Sequence, residues 1–310
     1  MPTLSVRVLL NPKAGAGASL RKLPELRAAL REHGHEHDVV ETTCAGDASR
    51  LVEEARREGV ELLAVVGGDG TLNEVVQAYI DASGNPVAGP ELAVIPAGTG
   101  GDFRRSLGVG NLLSEAVACL GRPARKVDLG RLRLTDANGQ SVTRAFINIT
   151  SFGVGGLTDQ LVNQGPKWLG GKPAFLVGSL RATLAYRNQP VRVSVDGNIV
   201  HEGPIFNVAL ANGRFFGGSM EVAPHASLDD GQLDVVIFGD MSLPQKLALT
   251  QSIYAGQHLD RPAVSSARGG VIVAEPMHRW SNVLIDMDGE TPGRLPLQAD
   301  VLPGALSVRY

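Results

Sequence analysis

The sequence predicts an α/β domain followed by a mostly β region, and three observations support this. Through about residue 128, short apolar runs alternate with helical patterns of apolar residues. Several of these runs are continuous, such as LLAVV at residues 62–66, which is typical of strands buried on both faces. After Val127 most apolar runs are short or alternating, and glycine and proline separate them. The first region is therefore expected to form a parallel sheet with covered faces.

The helices of the first region are predicted from apolar residues three or four positions apart. Gly34 and Gly59 mark the ends of the first two helices, and Asp47 is the expected cap of the second. The predicted order is strand 5–10, helix 20–31, a strand beginning at residue 39, helix 47–57, strand 62–66, helix 71–82 and strand 92–95.

The second region is expected to be mostly β, with one helix over residues 173–187. That helix, with Trp168 and nearby lysines, is open to two interpretations, contact with a lipid surface or packing in the core. The dipeptide Asp196-Gly197 is a typical hairpin turn. The predicted strands cover residues 191–195, 205–210, 233–238, 271–274 and 283–287.

Composition narrows the class of protein. The chain has 310 residues, 29 Lys and Arg against 32 Asp and Glu, a formal net charge of −3 and two cysteines. This balance argues against nucleic acid as a partner. Two cysteines cannot form a disulfide framework, and free thiols suit a reducing compartment. Because neither a transmembrane segment nor a signal peptide is recognisable, we expect a cytoplasmic protein that meets a membrane only peripherally, at its inner face.

Three glycine-containing segments each follow a predicted strand: NPKAGAG at residues 11–17, GGDG at 67–70 and IPAGTGGDF at 95–103. Glycine lets the main chain approach a ligand closely, and the N-terminus of a following helix favours an anion. The carboxyl ends of neighbouring parallel strands meet at one edge of a sheet. We therefore expect the three segments to form one phosphate site, although NPKAGAG lacks the spacing of a Walker loop.

Asp69 of the GGDG turn is electrostatically unfavourable beside a phosphate unless a divalent cation lies between them. The sequence therefore predicts Mg²⁺ together with a nucleotide triphosphate, whereas a lone GGDG is also compatible with a simple strand-to-helix turn. His33, His35 and His37 lack a fourth metal ligand and are expected in a solvated turn.

The motifs resemble those of the diacylglycerol kinase catalytic family, in the same order and over nearly the whole chain. Besides the three glycine segments, the resemblance includes KVDLG, ANGRFFGGSMEVAPHASLDDGQLDVVI and DMDGE, which begin at Lys126, Ala211 and Asp286. The chain is similar to bacterial soluble lipid kinases of the YegS and diacylglycerol kinase type, related to sphingosine and ceramide kinases and, through GGDG, to NAD kinases.

The resemblance implies a fold of α/β plus all-β type. A Rossmann-like three-layer domain is expected over residues 1–128 and a β-sandwich domain over residues 129–290. The final segment, residues 291–310, is expected to return to the first domain.

The resemblance also implies ATP as phosphoryl donor and Mg²⁺ as cofactor. Asp69 would organise the catalytic Mg²⁺, Asp128 matches an acidic position of the same metal network, and Glu290 matches the general base. The expected ATP contacts are Asn11, Pro12, Lys13, Ala14, Gly15, Thr42, Gly68, Asp69, Gly70, Thr71, Leu72, Asn73, Glu74 and Thr99. The segment APHASLDDG matches a second, structural metal site with Ser227, Asp230 and Gln232 as ligands.

The implied function is transfer of the γ-phosphoryl group to a hydroxyl of a membrane lipid, which is diacylglycerol-like, phosphatidylglycerol or a sphingoid lipid. Such a transfer needs a carboxylate that accepts the hydroxyl proton, and Glu290 follows an apolar strand in a sharp turn. Two alternatives stay open, a soluble-acceptor kinase of the NAD kinase type and a non-catalytic nucleotide sensor. Gly101 stands where many relatives have Asn, so the role of that turn is open. The lipid and the oligomeric state, a homodimer included, are open as well.

Overall fold

A computed structural model describes residues 5–97, 101–164 and 171–310. The chain forms two compact units. The first ends at Leu129 and takes up the chain again at Leu302–Tyr310, and the second is Gly130–Val301. The domain boundaries predicted from the sequence lie after residues 128 and 290. The second division lies later in the structure, inside the long last strand.

The first unit is a parallel sheet with helices between its strands. Its strand order is β2-β1-β3-β4, and Val308 and Arg309 of the last strand pair in parallel with Leu92 and Ala93 of β4. The elements are β1 (Ser5–Leu10), α1 (Ala14–Glu32), β2 (Glu36–Glu41), α2 (Asp47–Arg57), β3 (Leu62–Gly67), α3 (Asp69–Gln77), β4 (Glu91–Pro96), α4 (Asp102–Ser106), α5 (Leu113–Cys119) and the beginning of β5 (Arg125–Thr135).

The central strands of this sheet are buried, as their continuous apolar runs predict. Leu63 and Val65 of β3 have no exposed surface. From the helices, Leu30 of α1 and Val52 of α2 are equally buried. Burial of such side chains contributes roughly 1.5–3 kcal/mol each, so the sheet is a rigid support for the loops at its edges.

Two boundaries of the first unit differ from the sequence prediction. The third helix was expected to reach residue 82 but ends at Gln77, because the chain turns back and Val87 donates its N–H to the carbonyl of Tyr79 at 2.8 Å. Asp47 is not the cap of α2, since Gly46 takes that position. The Asp47 carboxylate instead accepts hydrogen bonds from the N–H and hydroxyl of Thr43, at 2.8 and 2.9 Å, and so holds the loop before the helix.

The expectation of a solvated histidine turn is wrong for one of the three histidines. His35 is 3% exposed and its Nδ1 is buried without a hydrogen-bond partner among the described residues. Burial lowers the pKa of the His35 imidazole, with further lowering from His33 and Arg309. His35 donates its N–H to the carbonyl of the buried Leu30 at 2.9 Å, which holds it against the end of α1.

The second unit is largely antiparallel β structure. Strands pair in the order β14-β13-β10-β7-β16-β17, while β17 also pairs with β15 and β5, β15 with β8, β8 with β9 and β5 with β6. The elements after β5 are β6 (Ser141–Phe146), β7 (Ile149–Gly153), α6 (Val154–Gln164), α7 (Gly171–Ala185), β8 (Gln189–Val195), β9 (Asn198–Ile205), β10 (Asn207–Ala211), β11 (Phe215–Phe216), β12 (Met220–Glu221), β13 (Leu233–Phe238), α8 (Leu243–Tyr254), β14 (Val264–Gly269), β15 (Val271–Pro276), β16 (Leu284–Met287) and β17 (Glu290–Arg309).

The core of the second unit lies between strand faces. Phe146, Phe152 and Ile285 are fully buried in one apolar cluster, and Phe238 belongs to a second cluster with Leu249 of α8. None of the helices in the described ranges combines the length and apolar character needed to cross a bilayer.

The expectation of a single helix in this unit is wrong, since α6 and α8 are helices as well. Helix α8 starts at a capping box in which Ser242 and Gln245 exchange hydrogen bonds. The predicted strand 205–210 is divided at Phe206, whose N–H donates to the carbonyl of Phe238 at 2.8 Å. The predicted helix 173–187 is observed as Gly171–Ala185.

Candidate functional site

The loop after β1 is bound to the loop after β3. Asn11 donates its N–H to the carbonyl of Val66 at 3.1 Å, and its side-chain Nδ2 donates to the hydroxyl of Thr71 at 2.9 Å. Its Oδ1 accepts the N–H of Lys13 at 3.0 Å, which forms a tight turn. Asn11 therefore joins two of the predicted phosphate-binding segments.

The NPKAGAG loop has a run of left-handed backbone. Gly15, Ala16 and Gly17 have φ values of 58°, 54° and 81° inside the span assigned to α1. The regular helix begins only after them, close to the predicted start. Ser19 is fully buried, and its hydroxyl donates to the carbonyl of Asn11. Sequence reasoning missed Ser19, and its only signal was a small polar residue directly after the glycine run.

The GGDG turn is tightly packed on one side and open on the other. A Cβ on Gly67 would lie 2.5 Å from Cβ and Oγ1 of Thr71, so only glycine fits there. A Cβ on Gly68 would have nothing within 4 Å. Helix α3 begins at Asp69, with Gly68 in extended backbone before it. There is therefore open space at Gly68, directly before a helix start, and the first N–H groups of a helix have no partner within the helix.

Asp69 connects the GGDG turn to the chain after β4. Its Oδ2 accepts the N–H of Asp102 at 2.9 Å, and its Oδ1 accepts the N–H of Phe103 at 3.3 Å. Burial raises the pKa of the Asp69 carboxyl, and these two N–H groups oppose that rise. Asp102 also forms an ion pair with Arg105 at 2.7 Å. Asp102 and Phe103 belong to the predicted segment IPAGTGGDF, although neither was named as a site residue.

The other predicted contacts differ in their surroundings. Thr42 is 9% exposed and donates its N–H to the carbonyl of Leu10 at 2.9 Å, so it lies beside Asn11 at the same sheet edge. Leu72 and Asn73 are buried within α3, and Oε2 of Glu74 accepts the N–H of Ala48 at 3.4 Å. The position of Thr99 lies outside the described residues. Around these, Pro12 and Ala14 are half-buried, Lys13 and Gly15 are exposed and Gly70 is half-buried.

Glu290 lies at the tip of a hairpin in the second unit. It pairs with Met287, and the two residues between them, Asp288 and Gly289, have φ values of 51° and 90°. Positive φ at both central positions is the geometry of the common two-residue hairpin turn. The Glu290 side chain is exposed. The sharp turn predicted from DMDGE is thus present.

Two buried aspartates hold this turn. The Asp288 carboxylate accepts the N–H groups of Ile147, Asn148 and Ile149 at 2.9, 3.1 and 2.9 Å. Asp286 accepts the N–H of Gly289 at 2.9 Å through Oδ1. Neither aspartate was assigned a role from the sequence, because their partners lie more than a hundred residues away or depend on the turn itself.

A third acidic residue, Asp159 of α6, lies beside this turn. Its carboxyl is within hydrogen-bonding reach of Asp286. Burial, then Asp286 and Glu290, raise the pKa of Asp159 to about 10. Burial also raises the pKa of Asp286, while hydrogen bonds from Gly289 and Ser151 oppose that rise. The sequence pattern gave no signal for Asp159.

The predicted structural metal segment is engaged in protein contacts. Oδ1 of Asp230 accepts the N–H of Gln232 at 3.0 Å, and Oδ2 pairs with the guanidinium of Arg268. The hydroxyl of Ser227 donates to Asp229 at 2.7 Å. A metal ion at this place would compete with the Arg268 guanidinium for Asp230, and the ligand set of Ser227, Asp230 and Gln232 stays a prediction. Across the described residues, no three His, Cys, Asp or Glu side chains are arranged to hold a metal.

Asp128 of the KVDLG motif binds the backbone of the last segment. It is 2% exposed, and its Oδ1 accepts the N–H of Gly304 at 2.7 Å. Both residues belong to the first unit, where Gly304 has a φ of 58°. Asp128 therefore fixes the turn that leads into the last segment of the parallel sheet.

Comparison with known families matches both halves of the chain. Residues 5–132 match the diacylglycerol kinase catalytic domain. Residues 148–310 match the YegS C-terminal NAD kinase beta sandwich-like domain. The predicted combination of an α/β fold with a β-sandwich is thereby confirmed.

Related sequences cover nearly the full length. A protein of Bacillus subtilis (strain 168) named "Diacylglycerol kinase" is 30% identical over 299 residues, which are 94% of this chain and 91% of that protein. A protein of Shigella flexneri named "Probable lipid kinase YegS" is 31% identical over 306 residues, which are 97% of this chain and 94% of that protein.

Solved structures share the fold. A protein from Bacillus anthracis str. Sterne that is assigned as a diacylglycerol kinase superposes with a TM-score of 0.77 at 25% identity, and the match covers 100% of this chain and 98% of that one. Yeast NADH kinase gives a TM-score of 0.50 at 14% identity, covering 99% of this chain and 83% of that one. That second likeness concerns the fold alone.

Proposed function

The chain belongs to the diacylglycerol kinase catalytic family, and from that premise we propose that it transfers the γ-phosphoryl group of ATP to a hydroxyl of a membrane lipid. As a member of this family it is a phosphotransferase with an alcohol group as acceptor, and its relatives are named lipid kinases. The acceptor lipid is the finer part of the proposal, and we infer a diacylglycerol-like lipid, phosphatidylglycerol or a sphingoid lipid.

The observation that supports phosphoryl transfer best is the meeting of the loops in the first unit. Asn11 binds Thr71, and Asp69 binds the N-terminus of α4, at the edge where strands β1, β3 and β4 end. Helix α3 begins directly after Gly68, where a Cβ would have nothing within 4 Å. Helix N-termini and glycine loops of this kind bind the phosphates of nucleotides. We propose that this edge holds the triphosphate of ATP, with the predicted contact residues around it.

Asp69 fits the magnesium ion that a nucleotide triphosphate carries. Each oxygen of its half-buried carboxylate accepts one N–H group, so lone pairs remain for a ligand. A single carboxylate does not complete a magnesium shell, and phosphate oxygens and waters commonly supply the rest. When bound, Mg²⁺ neutralises charge on the phosphates. The structural site at Ser227, Asp230 and Gln232 stays a prediction, and no step of the mechanism depends on it.

Glu290 is the residue we propose as general base. Its carboxylate is exposed at the end of a hairpin that Asp286 and Asp288 hold rigidly. A general base must reach the hydroxyl proton of the acceptor in a fixed geometry, and it contributes about 10²- to 10⁴-fold to the rate. A rigid turn with an exposed carboxylate at its tip meets that requirement.

Helix α7 presents an apolar face that suits a peripheral membrane protein. Val177, Leu180 and Leu184 are 45%, 51% and 58% exposed, and Arg181 lies exposed among them. Their spacing of three and four residues places them on one side of the helix. Apolar side chains flanked by a basic residue favour an interfacial position at an anionic membrane. We propose that the protein acts in the cytoplasm, at the inner face of the membrane; a homodimer stays a prediction.

The test is a lipid phosphorylation assay with purified protein. Labelled ATP, Mg²⁺ and a bacterial lipid extract in mixed micelles should yield a labelled lipid, which mass spectrometry identifies. Glu290→Gln should lower kcat by about 10²- to 10⁴-fold while ATP binding by calorimetry is unchanged. Glu275→Gln is the matched control, because Glu275 is an exposed glutamate on strand β15 of the same unit.

Other results would contradict parts of the proposal. Phosphorylation of a water-soluble alcohol without micelles, and of no lipid, would favour the soluble-acceptor alternative. ATP binding with no transfer to any acceptor would favour the nucleotide sensor. Full activity of Glu290→Gln would exclude Glu290 as the base.

A further inference from the structure

Helix α6 approaches strands β7 and β16 unusually closely. A Cβ on Gly155 would lie 2.4 Å from the hydroxyl of Ser151 and 3.7 Å from Oδ2 of Asp286. A Cβ on Gly156 would lie 2.6 Å from the carbonyl oxygen of Leu284. Two successive glycines therefore allow the first turn of the helix to rest directly on the strand that carries Asp286.

Asp159 lies on the same face of α6 as these glycines. It follows Gly155 by four positions and Gly156 by three, and residues at these spacings are neighbours on a helix surface. The carboxyl of Asp159 is within hydrogen-bonding reach of Asp286. Oδ2 of Asp159 is buried and receives no N–H or O–H group from the described residues. The close approach of α6 thus brings two carboxyl groups into contact.

The surroundings of this pair favour one shared proton. From β16 and β17 the groups that face Asp159 are Asp286 and Glu290, and from β7 the hydroxyl of Ser151 donates to Asp286 at 3.0 Å. Among the described residues, no cation contributes to the pKa of either member of the pair. Two buried carboxyl groups in contact cannot both ionise, so they titrate as a pair. Asp286 accepts hydrogen bonds from Ser151 and Gly289, whereas Oδ2 of Asp159 receives none from the described residues, so the shared proton lies on Asp159, whose pKa is raised.

The protonated Asp159 completes the set of groups that fix the Asp286 carboxylate. Asp286 then accepts hydrogen bonds from Asp159 and Ser151, while its Oδ1 accepts the N–H of Gly289. The contact with Gly289 is inside the turn that ends in Glu290. Rotation of the Asp286 carboxylate would therefore release the turn, and an ionised Asp159 would add a negative charge next to Glu290.

We propose that Asp159 is a positioning residue for Glu290, acting as the protonated partner that donates a hydrogen bond to Asp286 and so holds the hairpin turn. It does not contact the acceptor or the nucleotide in this role. This inference depends on the proposed function of Glu290, but the shared proton is a property of the protein alone and can be measured without any substrate.

The experiment compares Asp159→Asn, Asp159→Ala and wild-type protein, with Gln160→Ala on the exposed side of α6 as the matched control. Asparagine keeps a neutral hydrogen-bond donor, so Asp159→Asn should keep kcat within about threefold of wild type. Asp159→Ala should lower kcat by about 10- to 100-fold with an unchanged KM for ATP, because misplacement of a reacting group has effects of that size.

The second readout is the pH dependence of thermal unfolding without substrate. The native protein keeps the Asp159 proton, whereas the unfolded chain loses it near its ordinary pKa of about 3.9. The stability of wild type should therefore fall as pH rises from about 4 toward about 10, and this contribution should disappear in Asp159→Asn. The Tm advantage of Asp159→Asn over wild type should grow steadily between about pH 5 and about pH 9.

Each outcome decides the proposal. A Tm difference between Asp159→Asn and wild type that is constant over this pH range would overturn the shared proton. Activity of Asp159→Asn as low as that of Asp159→Ala would show that a neutral hydrogen-bond donor at this position does not support activity, and it would overturn the positioning role. If wild type phosphorylates no lipid, the proposed function fails, and the pH series still decides the state of the pair.

Discussion

The stability of the Glu290 turn depends on a buried carboxylate, and a matched turn in the same unit allows this to be measured. Asp288-Gly289 and Asp196-Gly197 are both Asp-Gly hairpin turns, with Asp φ values of 51° and 48°. Both carboxylates accept backbone N–H groups from another segment. Asp288 is 9% exposed, whereas Asp196 is exposed. Replacing each with alanine imposes the same backbone cost and differs chiefly in burial.

The expected magnitudes follow from the hydrogen bonds. Asp288→Ala leaves three buried N–H groups without their acceptor, at about 1–1.5 kcal/mol each. Alanine at positive φ costs about 1 kcal/mol more, so the free energy of unfolding should fall by about 4–5.5 kcal/mol. At Asp196 water replaces the lost acceptor, so those bonds count for about 0.5 kcal/mol each and the total loss is about 2 kcal/mol.

Urea unfolding followed by circular dichroism measures both losses, with equal m-values as the check that the variants unfold alike. Asp288→Asn should fall between wild type and Asp288→Ala, because the amide keeps one acceptor oxygen and asparagine tolerates positive φ. Equal losses for Asp288→Ala and Asp196→Ala would refute the reasoning, since burial would then contribute nothing to the turn.

Two further predictions concern the first unit. Gly67→Ala should lower the Tm, because the new Cβ would lie 2.5 Å from the Thr71 side chain. Gly68→Ala should leave the Tm unchanged and weaken ATP binding, because its Cβ enters open space before the helix. Thermal unfolding measures the first effect and calorimetry the second. Burial lowers the pKa of His35, so the unfolded chain binds a proton below about pH 6.5 that the native protein does not, and wild-type stability should fall on acidification. His35→Gln should show a smaller loss of Tm between about pH 7.5 and about pH 5.5, and an equal loss would contradict the assignment.

The strands of the first unit could be predicted because their apolar runs are continuous, and each predicted glycine segment follows such a strand. Helix α8 was missed although its signal was present, a serine three positions before a glutamine that together form the capping box. The rest of α8 was not recognised, because its sequence is only weakly amphipathic.

The supporting residues of the site could not be predicted, for a physical reason. Asp159 contacts Asp286, Asp286 accepts the hydroxyl of Ser151, and Asp288 accepts the N–H of Asn148, and all three partners are more than a hundred residues away in the sequence. No local period or spacing records such contacts. Asp69 was found because the glycines beside it form a local pattern, yet its bonds to the start of α4 became visible only in the folded chain.

The last strand has a consequence for the order of folding during synthesis. Val308 and Arg309 pair with strand β4, and Arg309 forms an ion pair with Glu91 at 2.6 Å. Asp128 accepts the N–H of Gly304, which lies in the same last segment. Until the ribosome has released residues 302–310, β4 is an exposed edge strand that can pair with another chain. A product truncated at residue 301 should therefore aggregate, even though every glycine loop for the nucleotide has already been made.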